Sequence, residues 1–285
     1  MKAKRIFDIV LSILMLIFAS PVLLVFSLIL FFEIRSFPIY VQERGLTLKN
    51  RRFKIYKLRT IRPRNKNIEH KTEADIFLKP GLKTEVTPFS KWLRKTGLDE
   101  LPQLINVIFG QMSLVGPRPL MIEDIETMKR ISPELYTRRG LLTNLPGISG
   151  FWQLFGNRAE GVIGMIALES LYEKVSSPFL DLKLLVYTTT VVIQAKNSDS
   201  IFYTNKANST RVKTVIDDSF SPKITLNMPE GIAKFIIEKV EKHEGKYTIQ
   251  MPQSWWYPSE LGNSKTDLTK NPTIISIKDQ SKKSA

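Results

Sequence analysis

The feature that most constrains this chain is an apolar stretch near its N-terminus, IVLSILMLIFASPVLLVFSLILFF, which covers 24 uncharged residues from Ile9 to Phe32. A helix of that length rises about 36 Å, at ~1.5 Å per residue, and can cross the ~30 Å hydrocarbon core of a bilayer. The stretch is too long for a removable signal peptide and lacks a small-residue cleavage site. We therefore expect a membrane segment.

Two details of this segment leave its topology open. Pro21 lacks an N–H and clashes with the preceding turn, so we expect a break or kink near Ser20. Basic residues lie on both sides, and the positive-inside rule assigns such flanks to the cytoplasm. The pattern supports a single spanning helix and a re-entrant helix-break-helix hairpin about equally. In the hairpin, Ser20 would bond a carbonyl freed by Pro21.

Composition limits the chemistry that the chain can perform. It has no cysteine and only two histidines, His70 and His243. Thiolate nucleophiles, disulfides and Cys-ligated metals are excluded, and little remains for a Ser/His/Asp triad. The formal net charge of +15 fits nucleic acid, anionic lipid or phosphorylated small molecules as partners. Catalysis would have to use carboxylates, Lys, Arg, hydroxyls or a hard cation.

An adjacent acid pair, Asp99-Glu100, offers such chemistry. Pro102 is tolerated only in the first turn of a helix, so we predict an α-helix from near Leu98 to Gly110 with the pair at its N-terminus, where anions are favoured. An isolated Asp-Glu pair is usually a helix cap beside a solvated acid. Here the nearby Gly116-Pro117-Arg118-Pro119 turn holds a guanidinium between two prolines, which favours phosphate binding.

Two further segments have informative patterns. Phe53–Leu58 alternates like a strand or hairpin, and Lys57 and Arg59 have the spacing to point the same way, although most basic residues there would hold anionic headgroups. From about Lys196 the composition changes to Ser, Asn, Thr and Lys. A helix opened by Pro229 and two short strands, YTIQM and TIISIKD, are predicted beyond it.

These motifs resemble those of the bacterial sugar transferases, specifically the small membrane-monotopic polyprenyl-phosphate phosphoglycosyl transferases that begin O-antigen, capsule, exopolysaccharide or glycoprotein glycan assembly. The resemblance covers about residues 1–195. It rests on KRIFDIVLS with Ser20-Pro21, Gln42-x-Arg44-Gly45, KIYKLRT at 54–60, LDELPQLINVIFGQMSLVGPRPL at 98–120, PGISG at 146–150, Tyr172, and FLDLK at 179–183.

The resemblance implies a mostly α, α+β fold in three parts. Residues 1–36 would form the re-entrant membrane hairpin, with both ends cytoplasmic. Residues 37–195 would form a compact cytosolic catalytic domain with interfacial amphipathic helices and a small sheet. Residues 196–285 would be a C-terminal extension, either α+β or partly ordered. The protein would lie in the bacterial inner membrane with its catalytic domain on the cytoplasmic face.

The resemblance also implies an activity. A sugar 1-phosphate would pass from a UDP-sugar to undecaprenyl phosphate, with release of UMP, through a covalent intermediate on Asp99. Asp99 and Glu100 would hold Mg²⁺, Arg118 would stabilise phosphate charge, and Lys57 or Arg59 would hold a substrate. Membrane lipids with anionic headgroups, a second copy of the chain and downstream glycosyltransferases are the expected partners; nucleic acid is not.

The chain departs from the family pattern around its expected substrate pocket. The usual Asn-Gly-Arg is Phe155-Gly156-Asn157-Arg158 here, which displaces the arginine, and the usual Leu-Asp is Leu168-Glu169. Gln153, Arg158 and Glu169 remain candidate substrate-binding residues. These differences imply a nucleotide or sugar pocket unlike the usual one.

A non-catalytic function is the main alternative. A membrane-anchored basic scaffold, or a protein that binds anionic lipid or nucleic acid, would explain the charge and the apolar stretch. It would not explain a Gly-Pro-Arg-Pro turn near paired acids. The sequence also contains neither a Gly-rich nucleotide loop nor an RNA-binding signature.

Overall fold

A computed structural model describes residues 2–62, 86–156 and 160–194 and, towards the C-terminus, 213–216, 222–225, 228–240, 243–244 and 248–250. Within these ranges the chain is mostly helical, with small sheets and a long apolar helix at its N-terminus. The predicted α+β class is confirmed in this form.

The described residues form the following helices and strands, numbered in chain order. The helices are α1 (Lys2–Ile34), α2 (Pro88–Thr96), α3 (Leu104–Ile108), α4 (Ile122–Ile131), α5 (Pro133–Gly140), α6 (Phe151–Phe155), α7 (Gly161–Val175), α8 (Pro178–Ile193) and α9 (Glu230–Lys239). The strands are β1 (Ile39–Gly45), β2 (Phe53–Leu58), β3 (Ser113–Val115), β4 (Leu120–Met121), β5 (Gly147–Ser149), β6 (Lys213–Ile216), β7 (Pro222–Thr225), β8 (His243–Glu244) and β9 (Thr248–Gln250). A 3₁₀ helix, Leu98–Gln103, joins α2 to α3.

Helix α1 contains the whole apolar stretch and stays helical through Ser20 and Pro21, so the structure does not interrupt the helix at the predicted break. Pro21 has no N–H to bond the carbonyl of Ile17, four residues earlier. The Ser20 hydroxyl donates to that oxygen instead, at 2.9 Å. The expected bond from Ser20 is thus present, and it shows how the helix continues past the proline.

Both ends of α1 lie against the same globular body. Near its start, Lys4 and Asp8 bond to strand β3. Near its end, Leu30 and Ile34 are buried against the end of β2 and helix α2. Between and around these contacts many apolar side chains are exposed, and by length and composition α1 is the one helix in the described part of the chain that could cross a membrane.

Two small sheets bring the sequence motifs near one another in space. Strands β2, β1 and β4 form an antiparallel sheet in that order, with Tyr40 opposite Lys57. The β1–β2 pair is the hairpin expected around Phe53–Leu58. Strands β3 and β5 pair in parallel, with Val115 opposite Ser149, and this brings the Gly-Pro-Arg-Pro turn beside the PGISG segment.

The core is built around α7, which is buried along most of its length. Its apolar residues lie on all sides, as in a helix surrounded by protein. Phe151 of α6 packs edge-on against Tyr172 of α7, with ring centroids 5.4 Å apart. Helix α7 therefore packs within the core.

The C-terminal extension is α+β where it is described. Strands β6, β7, β9 and β8 form an antiparallel sheet, and α9 buries Ile232 and Ile236 in the main core. Lys183 of α8 donates to the carbonyl of Gly231 at 2.9 Å. The predicted helix after Pro229 and the strand in YTIQM are confirmed, whereas TIISIKD lies outside the described residues.

Candidate active site

The backbone around the acid pair differs from the prediction of one α-helix from Leu98 to Gly110. Helix α2 ends at Thr96 and is followed by Gly97, whose φ of 78° is left-handed; the acid pair comes next, in the 3₁₀ helix. Pro102 lies inside that 3₁₀ helix, and α-helical geometry begins only at Leu104. A proline cannot donate in the helical ladder, so the tighter turn takes its place. Asp99 and Glu100 therefore do not stand at the N-terminus of a long α-helix.

The two carboxylates of the pair have different surroundings. The Glu100 carboxylate accepts from Lys57 Nζ at 2.5 Å through one oxygen and from Gln103 Nε2 at 3.1 Å through the other. Asp99 is buried, with 6% of its surface exposed. Glu100 is thus held by two donors in a pocket, whereas Asp99 is mainly desolvated.

These surroundings move the two pKa values apart. Burial, followed by the charge of Glu100, raises the pKa of Asp99 to about 6, against the opposing charges of Arg94 and Lys57. Burial alone would raise the pKa of Glu100 as well, but Lys57 and Arg118 outweigh it and lower that pKa below its usual value. Paired carboxylates separated in this way typically serve two different chemical roles.

A small pocket opens beside Glu100. Three cationic side chains from distant parts of the sequence share it: Arg44 from β1, Lys57 from β2 and Arg118 from the Gly-Pro-Arg-Pro turn. The remaining lining residues are Ile55, Glu100, Gln103, Pro119, Gly147, Ile148 and Gln153. Three cations around one carboxylate leave an excess of positive charge, which suits a phosphorylated ligand.

The turn that carries Arg118 is fixed by close backbone packing against the PGISG segment. Gly116 donates to the carbonyl of Ser149 at 2.9 Å, and Gly147 donates to the carbonyl of Pro117 at 2.8 Å. A Cβ on Gly147 would lie 2.1 Å from the nitrogen of Gly116. Only glycine allows this approach, which explains the glycines of the PGISG motif.

The structure brings four of the candidate residues to one pocket: Lys57, Glu100, Arg118 and Gln153. Asp99 precedes Glu100 in the 3₁₀ helix and does not line this pocket. Arg59 lies elsewhere, because β2 ends at Leu58 and the alternation that points Lys57 into the pocket ends with it. Its guanidinium donates to the carbonyl of Phe37 at 2.8 Å and lies over the Tyr40 ring.

The other two candidate residues have different positions. Glu169 is buried behind the Gly-Pro-Arg-Pro turn, where it accepts from the backbone N–H of Arg118 at 2.8 Å and pairs with Arg139 at 2.5 Å. Arg158 lies outside the described residues.

Sequence reasoning did not select three arginines that the structure connects with the site. Arg44 lines the pocket, and Gln42 fixes its guanidinium at 2.8 Å; the Gln-x-Arg-Gly motif was the available signal. Arg94 lies near enough to oppose the raised pKa of Asp99. Arg139 holds the backbone of the turn, and no local pattern marked it.

The acid pair can hold a divalent cation only with help from a ligand. Among the described residues there is no group of three His, Asp or Glu side chains that could hold a metal ion. Glu100 lines the pocket with both of its oxygens already accepting hydrogen bonds, and Asp99, the residue before it, is buried and does not line the pocket. This donor set fits Mg²⁺, which commonly takes one or two carboxylates and completes its shell with water and substrate phosphates.

The fold and this phosphate-suited pocket agree with a comparison against protein families. A model of the bacterial sugar transferase family matches residues 1–195, and the chain belongs to that family. The matched region includes every residue of the pocket and ends just after α8. The C-terminal sheet and α9 lie beyond it.

The chain is also similar to proteins with assigned names. The chain is 34% identical to the UDP-glucose:undecaprenyl-phosphate glucose-1-phosphate transferase of Klebsiella pneumoniae, over 65% of this chain and 39% of that protein. It is 31% identical to the exopolysaccharide production protein ExoY of Sinorhizobium fredii, over 69% of this chain and 88% of that protein. It is 30% identical to the undecaprenyl-phosphate galactose phosphotransferase of Salmonella typhimurium, over 67% of this chain and 40% of that protein. The chain thus spans well under half the length of some relatives that it matches.

Proposed function

We propose that this protein transfers a sugar 1-phosphate from a UDP-sugar to undecaprenyl phosphate and releases UMP. The observation that carries the proposal is the pocket itself, in which three cations surround one member of an acid pair whose other member is a desolvated carboxylate. The names of the relatives, which pair undecaprenyl phosphate with glucose or galactose, support the reaction class. The sugar is left open.

In the first half of the proposed reaction, Asp99 acts as nucleophile. A carboxylate oxygen of Asp99 attacks the phosphorus next to the sugar, a P–O bond forms, and the bond from that phosphorus to the bridging oxygen of the diphosphate breaks. UMP leaves with the electron pair of the broken bond. The sugar phosphate is then attached to Asp99 as an acyl phosphate.

In the second half, an oxygen of undecaprenyl phosphate attacks the same phosphorus. The new diphosphate bond forms and the acyl–phosphate bond breaks, which returns Asp99 as a carboxylate. The low dielectric around Asp99 supports this role, because a carboxylate that has lost part of its hydration is a more reactive nucleophile towards phosphorus.

The other pocket residues would lower the repulsion between anions. Arg44, Lys57 and Arg118 would bind oxygens of the diphosphate and of the acceptor phosphate. Glu100 would keep Lys57 charged and oriented through their 2.5 Å ion pair. Asp99 and Glu100 would hold Mg²⁺, which would supply further neutralisation of phosphate charge.

The position of α1 supports a placement at one face of a membrane. Lys4 and Asp8 at its start and Leu30 and Ile34 at its end all contact the same globular body. Contacts of both ends with one body favour a placement of both on the same side of a bilayer, as in the re-entrant topology. We propose that α1 is kinked at Pro21, enters one leaflet and returns, with the pocket at the cytoplasmic face of the inner membrane.

The absence of cysteine allows a direct test of this topology. Single cysteines introduced at Lys2 and at Arg35 should both react with a membrane-impermeant maleimide in inside-out vesicles and both be protected in right-side-out cells. The wild-type chain, which has no cysteine, gives the background. Labelling of the two positions from opposite sides would establish a spanning helix and contradict the proposal.

The reaction is tested by incubating the full chain in membranes with undecaprenyl phosphate and a panel of UDP-sugars. We expect UMP release with at least one UDP-sugar. Multiple turnovers should require the lipid phosphate, and EDTA should abolish the release. A chain that binds vesicles of anionic lipid but releases no UMP from the whole panel would favour the non-catalytic scaffold instead.

The raised pKa of Asp99 predicts a pH dependence. A nucleophilic carboxylate must be ionised, so kcat/KM should rise about tenfold per pH unit below a midpoint near 6 and level off above it. Glu100, whose pKa is lowered, stays ionised through this range. The measurement is kcat/KM from pH 5 to 8, with enzyme preincubated at each pH and reassayed at pH 7.5 to exclude denaturation. A flat profile between pH 5 and 7 would contradict the assignment.

A further inference from the structure

The backbone of Arg118 is held at both of its polar groups. Its N–H donates to Glu169 Oε1 at 2.8 Å, and its carbonyl accepts from Arg139 Nη2. Pro117 and Pro119 on either side fix their own φ angles and have no N–H to donate. The main chain of Arg118, whose side chain lines the pocket, is therefore held on both its N-terminal and its C-terminal side.

The two side chains that hold this backbone also hold each other. Arg139 Nη1 donates to Glu169 Oε2 at 2.5 Å, which closes a ring of three hydrogen-bonded groups: the Arg118 backbone, the Glu169 carboxylate and the Arg139 guanidinium. Arg139 Nε donates to the carbonyl of Leu46, just beyond β1, at 2.8 Å. The ring thus connects the turn with α7, α5 and the end of β1, the strand that carries Arg44.

Burial separates this ring from the pocket. Arg139 is fully buried and Glu169 is 1% exposed, and neither lines the pocket, whereas Arg118 does. Substrate bound in the pocket would meet the side chain of Arg118 in front of the turn and not the two residues behind it. A buried ion pair is weak evidence for stability, since desolvation offsets its attraction, so its use here is better sought in geometry.

We propose that Glu169 and Arg139 are positioning residues that act on the proposed reaction through Arg118, by fixing the backbone from which its guanidinium reaches the phosphate, and that Glu169 is not a substrate ligand. The inference rests on the proposed function for its catalytic consequence. The contact between Glu169 and the Arg118 backbone is independent of the proposed function, because it can be measured without substrate. The two oxygens of the Glu169 carboxylate reach one partner each, the Arg118 N–H and the Arg139 guanidinium.

The contact is tested by hydrogen exchange on the full chain in lipid nanodiscs. Because Pro117 and Pro119 have no amide hydrogen, the amide of Arg118 is separated from its nearest amide neighbours, at Gly116 and Leu120, and can be followed by mass spectrometry of overlapping peptides. We expect slow exchange at Arg118 in the wild type, and at least tenfold faster exchange in Glu169→Ala. Glu169→Gln, whose amide oxygen still accepts, should give an intermediate rate. Glu126→Ala, on the exposed face of α4, is the matched control and should leave the exchange rate of the Arg118 amide unchanged.

The catalytic consequence is tested by a double-mutant cycle with Arg118→Ala. Glu169→Gln alone should lower kcat for UMP release by about 100-fold, the scale of a misplacement of about 1 Å, with a smaller change in KM. In the Arg118→Ala background the same substitution should cost no more than about twofold, because the group through which it acts is gone. A general loss of folding would lower activity by the same factor in both backgrounds.

The outcomes separate this inference from the proposed function. Equal losses in the two backgrounds, or an Arg118 amide that exchanges at the wild-type rate in Glu169→Ala, would overturn the positioning role while the wild type stays active. A wild type that releases no UMP would overturn the proposed function and leave the exchange result standing. If Glu169→Ala does not fold, Glu169→Gln and Arg139→Lys provide the same exchange comparison.

Discussion

Replacement of Asp99 by asparagine is expected to abolish UMP release while leaving the fold intact. Asparagine has nearly the same shape as aspartate but cannot attack phosphorus, so kcat/KM should fall by at least about 1,000-fold, as when a nucleophile is removed from other enzymes with covalent intermediates. Glu126→Gln, an exposed acid on α4, is the control and should keep wild-type activity. UMP release that persists in Asp99→Asn would contradict the mechanism.

The covalent intermediate gives this prediction a second measurement. With a UDP-sugar labelled in the phosphate next to the sugar, and no lipid acceptor, wild-type protein should retain label after acid quenching. Hydroxylamine should release it, because acyl phosphates react with this nucleophile. Asp99→Asn should retain none. Label that remains on Asp99→Asn and disappears in Glu100→Gln would assign the nucleophile to the neighbouring acid.

The Asp99→Asn substitution should not lower thermal stability, although it removes activity. The pKa of Asp99 is raised from 3.8 to about 6, so the folded state binds its proton more tightly than the unfolded state. The stabilisation from that proton is complete below the unfolded pKa and is lost as the pH rises through about 6. At pH 7.5 Asp99 is therefore a buried charge that lowers the free energy of unfolding. Asp99→Asn should melt at a temperature equal to or above that of the wild type there.

Substitution of Gly147 by alanine is expected to damage the site and the fold together. The new Cβ would lie 2.1 Å from the nitrogen of Gly116 and 2.3 Å from the carbonyl oxygen of Ser149, and both are backbone atoms that cannot rotate away. Strands β3 and β5 must separate, which shifts Arg118 from the pocket. We expect a loss of about 1–3 kcal/mol in the free energy of unfolding and of about 100-fold in kcat.

A second glycine offers the matched control for this substitution. A methyl group added at Gly231, in α9, would meet no heavy atom within 4 Å, and the backbone there is helical. Gly231→Ala should therefore keep wild-type activity and raise stability by no more than about 1 kcal/mol, from helix propensity. Thermal melting and UMP release of the two variants side by side make the test. A Gly147→Ala protein as stable and active as Gly231→Ala would show that the strand pair tolerates separation.

Local patterns in the sequence were sufficient for several elements. The apolar run predicted α1, and the alternation in Phe53–Leu58 predicted the β1–β2 hairpin. The same reasoning failed at Leu98–Gly110, where Pro102 is accommodated in a 3₁₀ helix and not in the first turn of an α-helix. It also expected a break or kink at Ser20-Pro21, and α1 stays helical there, with the Ser20 hydroxyl bonded to the carbonyl of Ile17. In both places proline limits the backbone without determining which of the remaining geometries forms.

Local sequence patterns were enough to predict a long apolar N-terminal helix, to place an acid pair and a rigid arginine turn in one motif, and to show the resemblance to the family to which the chain belongs. Each of these depends on residues that are close along the chain. The folded chain was needed to show that Lys57 pairs with Glu100 and not Asp99, and that Glu169 lies behind Arg118 and not in the pocket. These contacts join residues 43 and 51 positions apart. Folding brings such residues together through the register of β1 with β2 and the burial of α7, and no local pattern records that packing.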